Sequence, residues 1–177
     1  MTPDSNGILY LEETDPITPF QTTINALQAA TSAAILDAQI WEIPGGHLTA
    51  TSNQSIPHGT VTTLTLGTTV ALRGGMTIGS NSLVVPRDGW YTITASARWQ
   101  SNNSGARQVR IQRNGATVMT DVTTGSGAGT FAHSCSLSTY CEAGDEFAVS
   151  AYQSSGGDLD ISVNLGSPHL SVVWNGA

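Results

Sequence analysis

From about residue 47 onward the apolar residues of this chain recur at every second position, and that period constrains the fold more than any other feature. In GWYTITASARW, Tyr91, Ile93, Ala95, Ala97 and Trp99 share one face of an extended strand, while Trp90, Thr92, Thr94, Ser96 and Arg98 share the other. Val109 and Ile111 alternate in the same way with Gln108, Arg110 and Gln112, and Cys135, Leu137, Thr139 and Cys141 line one face of a further run. VTTLTLGTTVAL, SLVVPRDGWYTITASARW, ARQVRIQRNGATVM, FAHSCSLSTYC, DEFAVSAYQ and LSVVW are rich in β-branched and aromatic residues and are separated by Gly, Asn, Asp and Ser. Asn114-Gly115 is a strong hairpin signal, because the favoured two-residue turn needs two residues that tolerate positive φ. About eight short strands with almost no helix among them predict a sandwich or jelly roll. Tyr91, Ile93, Trp99, Val109, Ile111, Leu137, Cys141, Phe147 and Val149 are its expected core.

Before Pro44, Gly45 and Gly46 the period is helical. Phe20, Ile24, Leu27, Thr31, Ala34, Ala38 and Trp41 fall at alternating spacings of four and three, which puts one stripe along a helix. Pro16 and Pro19 forbid a helix interior before it, and Asp15 and Thr18 can cap a helix that starts near Pro19. At 1.5 Å per residue it would run roughly 33 Å to Trp41. The stripe is thin in its middle, where Thr31, Ala34 and Ala38 supply little apolar area at roughly 25 cal/mol per Å². A lone helix of this kind has nothing to dock against, whereas a bundle of identical helices needs only a narrow seam, with Ile24, Thr31 and Ala38 at a and Phe20, Leu27, Ala34 and Trp41 at d.

The charge is as uneven as the period. Of 13 acidic residues, Asp4, Glu12, Glu13, Asp15, Asp37 and Glu42 fall in the first 42 positions with no Lys or Arg among them; the rest of the chain balances its remaining acids against six arginines. An acidic front excludes nucleic acid as a partner, since phosphate binding needs clustered basic side chains. No apolar run long enough to span a membrane and no signal peptide is present, so neither membrane insertion nor export by the usual route is expected. Cys135 and Cys141 would sit roughly 20 Å apart on one strand, beyond disulfide reach, and read as buried free thiols.

Catalysis finds little support. His47, His58, His133 and His169 show no metal-ligand spacing, and no Gly-x-Ser-x-Gly elbow or paired-carboxylate motif is present, so neither catalytic nor metal residues and no cofactor are expected. Asp158-x-Asp160 beside Gly157 lacks the further oxygens of a calcium loop and reads as a turn with two solvated acids. Arg107, Arg110 and Arg113 share a strand on which only Arg110 clearly points outward, and salt bridges between subunits explain them better than an anion site.

SLVVPRDGWYTITASARW, RQVRIQRNGATV, LSTYCEAGDEFAVSAYQ and the closing LSVVWNG resemble, in order and spacing, the globular heads of the complement and tumour-necrosis-factor superfamily. Gly89, Tyr91, Ile93, Asn114, Gly115, Cys141, Gly144, Asp145, Phe147 and Val149 match that pattern, whereas Ala95 and Ala97 stand where the family often carries large aromatics. The resemblance covers roughly residues 55 to 177 and implies a jelly roll of about ten antiparallel strands that assembles as a homotrimer. A second resemblance lies upstream: YLEETDPITPFQTTINALQAATSAAI is similar to the opening of minor tail and fibre proteins of tailed bacteriophages, with Asp-Pro and a Thr-Pro turn ahead of a Gln- and Ala-rich helix.

The predicted organisation is therefore mainly β: an extended virion-attachment segment at 1–19 with Leu9, Tyr10, Leu11, Asp15 and Pro16, a trimeric coiled-coil stem at 20–43, a linker at 44–54, and a jelly-roll head at 55–177. Ile at a with Leu at d leans towards two helices, but the larger head interface is expected to set the count at three. If the strand ending at Trp99 points away from the stem, loops 101–106, 123–129 and 154–158 gather at a distal apex and offer Asn102, Asn103, Ser126 and Asp158 to a host-surface glycan or protein receptor. Such loops are first of all short solvated turns. The expected role is a non-enzymatic virion protein, a tail fibre or minor tail protein assembled in the host cytoplasm and joined to other virion proteins through its N-terminal segment. The alternatives are a capsid-anchored head fibre or decoration protein of the same fold and, with less support, a glycan-degrading tip enzyme.

Overall fold

The structure is a computed structural model that describes residues 2–3, 9–10, 22–32, 43–124, 129–163 and 168–177. The chain divides into two compact units, residues 1–40 and 41–177.

In the first unit β1 (Thr2–Pro3) pairs antiparallel with β2 (Leu9–Tyr10), and residues 22–32 form a helix, α1. Within α1 Ile24 is half-buried, whereas Leu27 is 67% exposed, and Thr31 turns its hydroxyl back to the Leu27 carbonyl at 2.8 Å. Such a back-bond satisfies the hydroxyl without adding apolar contact. Phe20, Ala34, Ala38 and Trp41 of the expected stem, and Leu11, Asp15 and Pro16 of the expected attachment segment, lie outside the described residues.

The second unit is a β-sandwich. Its strands are β3 (Gly45–Thr49), β4 (Gln54–Ile56), β5 (Thr62–Thr63), β6 (Thr68–Arg73), β7 (Thr77–Ile78), β8 (Ser82–Val84) and β9 (Gly89–Trp99). There follow β10 (Ala106–Arg113), β11 (Ala116–Thr124), β12 (Phe131–Cys141), β13 (Glu146–Gln153), β14 (Leu159–Ile161) and β15 (His169–Gly176). One sheet sets β9 between β12 and β15 and continues through β3 to β6, with β14 and β4 at the end of β9; the other runs β11-β10-β13-β8-β7, with β5 also on β13. These strand pairs are antiparallel, and neighbours distant in sequence, such as β15 between β9 and β3, give the jelly-roll winding.

Alternation does the sorting. Tyr91, Ile93, Ala95, Ala97 and Trp99 of β9 are wholly buried and meet Val109, Ile111, Phe147, Val149 and Cys141 in one core, on which half-buried Leu137 packs. At roughly 25 cal/mol per Å², this continuous apolar layer is the main force holding the two sheets together. Asn114 and Gly115 take φ of 51° and 81°, so the hairpin between β10 and β11 turns in the left-handed region those two residues tolerate.

The expected linker at 44–54 is instead part of the sandwich. β3 lies in it, with Leu48 opposite Leu170 of β15 and wholly buried. Gly46 lets the strand lie close on the core, since a Cβ there would come within 2.7 Å of a Leu83 methyl and make that side chain shift. The run SLVVPRDGWYTITASARW likewise breaks into β8 and β9, because Pro86 cannot donate to the ladder.

Candidate apical binding surface

Register fixes which loops share an end. Phe131 lies opposite Trp99 and Cys141 opposite Gly89, while Arg107 lies opposite Gln153 and Arg113 opposite Phe147. Residues 100–105 and 154–158 therefore lie at the Trp99 end of the sandwich, the apex. The Asn114-Gly115 turn, the turn at 142–145 and the last residues of β15 lie at the other end, the base. The chain enters the sandwich at the base too, where the Trp174 amide donates to the Pro44 carbonyl at 3.0 Å.

The apical loops are clasped to one another. The Ala106 amide donates to Ser154 Oγ at 2.9 Å and the Ser154 amide to the Ala106 carbonyl at 3.0 Å. Between them Gly105, at φ +72°, has no room for a side chain, since a Cβ would fall 1.9 Å from the Ser154 carbonyl oxygen. Gln153 is wholly buried; its Nε2 donates to the carbonyls of Ile56 and Gly157, both at 2.8 Å, and its Oε1 accepts the Ser155 amide at 2.7 Å. His58 Nδ1 accepts the Gly156 amide at 2.9 Å. On this support Asn102 closes a local turn, its Oδ1 accepting the Ser104 amide at 2.8 Å, and is half-buried, while Asn103 and Asp158 are exposed. The clasp brings the loops of Asn102, Asn103 and Asp158 side by side; Ser126 lies outside the described residues. What the surface offers is amide, hydroxyl and carboxylate groups on a braced backbone, a set suited to hydrogen-bonding a polar ligand.

The arginines of β10 do not fit the inter-subunit reading. Arg107 points inward with Val109 and Ile111 and is wholly buried, its guanidinium donating to the carbonyls of Ser104, Ala106 and Asn102 at 2.8, 3.0 and 3.3 Å. Arg113 pairs with Asp145 of its own chain, and Arg110 bonds Gln108 and stands 5.7 Å from the centre of the Tyr152 ring. Each finds its partner within one chain. Asp145 organises the base: burial alone would raise its pKa, but hydrogen bonds from Arg113, the Glu142 amide and Asn114 hold it below the usual carboxylate range.

The outer face of the β9 sheet is polar and carries two half-exposed aromatic rings. Trp90 and Tyr140 meet edge to face at 6.2 Å, Thr92 Oγ1 lies 3.0 Å from Ser138 Oγ, and Thr94 Oγ1 lies 3.4 Å from Ser136 Oγ. Further along, the rings of His47 and His169 stand 5.2 Å apart, and His169 Nδ1 is 2.8 Å from Ser96 Oγ. Burial, with His169 beside it, keeps the pKa of His47 below its ordinary value. Sequence spacing could not show this pair, which exists only through the register of β3 on β15.

Among the described residues no three His, Cys, Asp or Glu side chains gather as metal ligands, Asp158 and Asp160 included. Cys135 and Cys141 are buried free thiols, each pushed up to about 11 by desolvation. His133 is buried beneath β10 and β11, its Nδ1 3.8 Å from Asp121 Oδ2; burial outweighs that carboxylate and keeps its pKa below the ordinary value. Alternation with Val109 and Ile111 leaves only Arg110 of the three arginines clearly outward, but nothing in the spacing marks the carbonyls that hold Arg107, nor Gln153 or His58 as loop supports.

No known protein family matches the sequence, and no curated protein does. Among solved structures, the Eiger TNF of S. frugiperda is similar over 76% of this chain and 93% of its own, with a TM-score of 0.60 and 11% identity. Murine APRIL is similar over 75% of this chain and 99% of its own, with TM-scores of 0.60 and 0.57 and identities of 17% and 16% in crystals at pH 5.0 and 8.5. At such identities the likeness is one of fold: the second unit is a jelly roll of the tumour-necrosis-factor type.

Proposed function

We propose that this chain is a non-enzymatic virion structural protein of a tailed phage, a homotrimeric tail fibre or minor tail protein that displays its sandwich to the host surface. The observation that carries the reading is the polarity of the second unit: the chain enters at the base, its last strand ends there, and the clasped polar loops occupy the opposite end. That is the geometry of a module tethered at one end and presented at the other. The resemblance of residues 10–35 to the opening of phage tail and fibre proteins gives the tether its setting, with Leu9, Tyr10, Leu11, Asp15 and Pro16 joining other virion proteins. The copies meet through the outer face of the β9 sheet, where Trp90 and Tyr140 are uncovered, and through the stripe of Phe20, Ile24, Leu27, Thr31, Ala34, Ala38 and Trp41.

Asn102, Asn103, Ser126 and Asp158 contact a glycan or protein receptor of the host. Three measurements test the parts separately. Sedimentation of the purified chain gives a trimer, and a monomer at micromolar concentration refutes the assembly. Immunogold labelling of particles gives signal on the tail; signal on the capsid alone transfers the same architecture to a head fibre or decoration protein. Binding of the purified trimer to host cells falls when Asn102, Asn103 and Asp158 are changed together to Ala, and unchanged binding by an intact trimer removes the apex from the mechanism.

A further inference from the structure

Arg107 presents an unanswered charge. It is wholly buried near the apex, and its three acceptors, the carbonyls of Asn102, Ser104 and Ala106, are neutral. Arginine stays protonated even when buried, so the positive charge is real. Among the described residues Arg107 forms no ion pair, and Asp121 on the neighbouring strand faces His133 instead. A buried cation with no counter-charge is strongly unfavourable.

Two buried donors beside that charge are also without partners. Arg107 Nε and Trp99 Nε1 have no hydrogen-bond acceptor, although both residues are wholly buried. The guanidinium carbon is 5.9 Å from the centre of the Trp99 ring, against 4.2 Å for Arg87 over Trp174, so Arg107 is not stacked in contact on that indole.

We propose that Arg107 Nε and Trp99 Nε1 hold a small inorganic monoanion of chloride size that supplies the missing counter-charge. The anion is an internal part of the apex. It balances the guanidinium whose other nitrogens hold the carbonyls of the 100–105 loop, so anion occupancy and the order of that loop rise and fall together.

Bromide is the probe, because it replaces chloride and scatters anomalously. Two experiments on the full chain decide the matter. In thermal unfolding at constant ionic strength, replacing isethionate by bromide raises Tm and the rise saturates; Arg107→Met lowers the starting Tm and abolishes the bromide dependence. In crystals grown in bromide, an anomalous peak lies within hydrogen-bond distance of Arg107 Nε and Trp99 Nε1. The proposal is overturned by a water without anomalous signal at that point, by a Tm that follows ionic strength alone, or by a folded Arg107→Met chain that keeps the full bromide effect. Should Arg107→Met not fold, the crystal experiment decides alone.

Discussion

Gly105→Ala probes the apical clasp directly. The residue sits at φ +72°, where an alanine costs about 1–2 kcal/mol relative to the right-handed region. The new Cβ would also fall 1.9 Å from the Ser154 carbonyl oxygen and 2.5 Å from its carbon, contacts that only backbone movement relieves. That movement separates the two hydrogen bonds between Ala106 and Ser154, each worth about 1 kcal/mol net. The expected loss is therefore about 3–4 kcal/mol, or roughly 6–16 °C in Tm for a chain of this length at about 2–4 °C per kcal/mol. Gly115→Ala is the matched control, because Gly115 has φ +81° and nothing within 4 Å of its Cβ position. It should lose only the conformational part, about 1–2 kcal/mol. Calorimetry of both variants at equal protein concentration checks the difference. Equal losses would show that the two loops yield freely, and the account of a braced apex would then fail.

Three further outcomes follow from the ionisable groups. His133 and His47 both have folded pKa values below the ordinary 6.5, so the unfolded chain binds more protons than the folded one as pH falls. Their contribution to stability is present above about pH 6.5 and is lost as pH falls below it, so Tm should decline from pH 7.5 to 5.5 and His133→Gln should flatten the slope. Asp145 also has a lowered pKa, so its contribution persists above the ordinary 3.8 and disappears below it; Asp145→Asn should cost about 2–3 kcal/mol in urea unfolding at pH 7 and remove that acid step. With thiols pushed up to about 11 and buried, Cys135 and Cys141 should resist a thiol-specific reagent at pH 8 in the native chain and react fully in guanidinium.

The parts of the fold legible in the sequence are those where one face of a strand is buried. β9 shows its face outright, since a slip of one residue would expose Tyr91, Ile93 and Trp99 together. Asn114-Gly115 is legible because only a few residue pairs tolerate its backbone. β3 is not: GGHLT is too short and too rich in glycine for alternation to show, and its place comes from pairing with β15 at the far end of the chain. At the apex the loops could be located, but their bracing could not. The inward direction of Arg107 follows from its register with Val109 and Ile111, yet burial of a charge runs against its residue type, and its bonds to the carbonyls of Asn102, Ser104 and Ala106 arise only in the folded apex. His47 meets His169 for the same nonlocal reason that β3 meets β15, and no spacing rule reaches across that distance.

Because Pro44 and the end of β15 lie together at the base, anything fused after Ala177 emerges beside the point where the chain arrives. A reporter joined to Ala177 would therefore mark the root of the sandwich and leave the tip unencumbered. Cargo meant for the tip must be spliced into a loop instead. The stretch from Ser155 to Asp158 suits this, because Gly156 and Gly157 have open space where their side chains would be and the carbonyl bonds of Gln153 anchor the loop from below. The sandwich thus has two addressable ends, one for labelling and one for accepting inserted sequence.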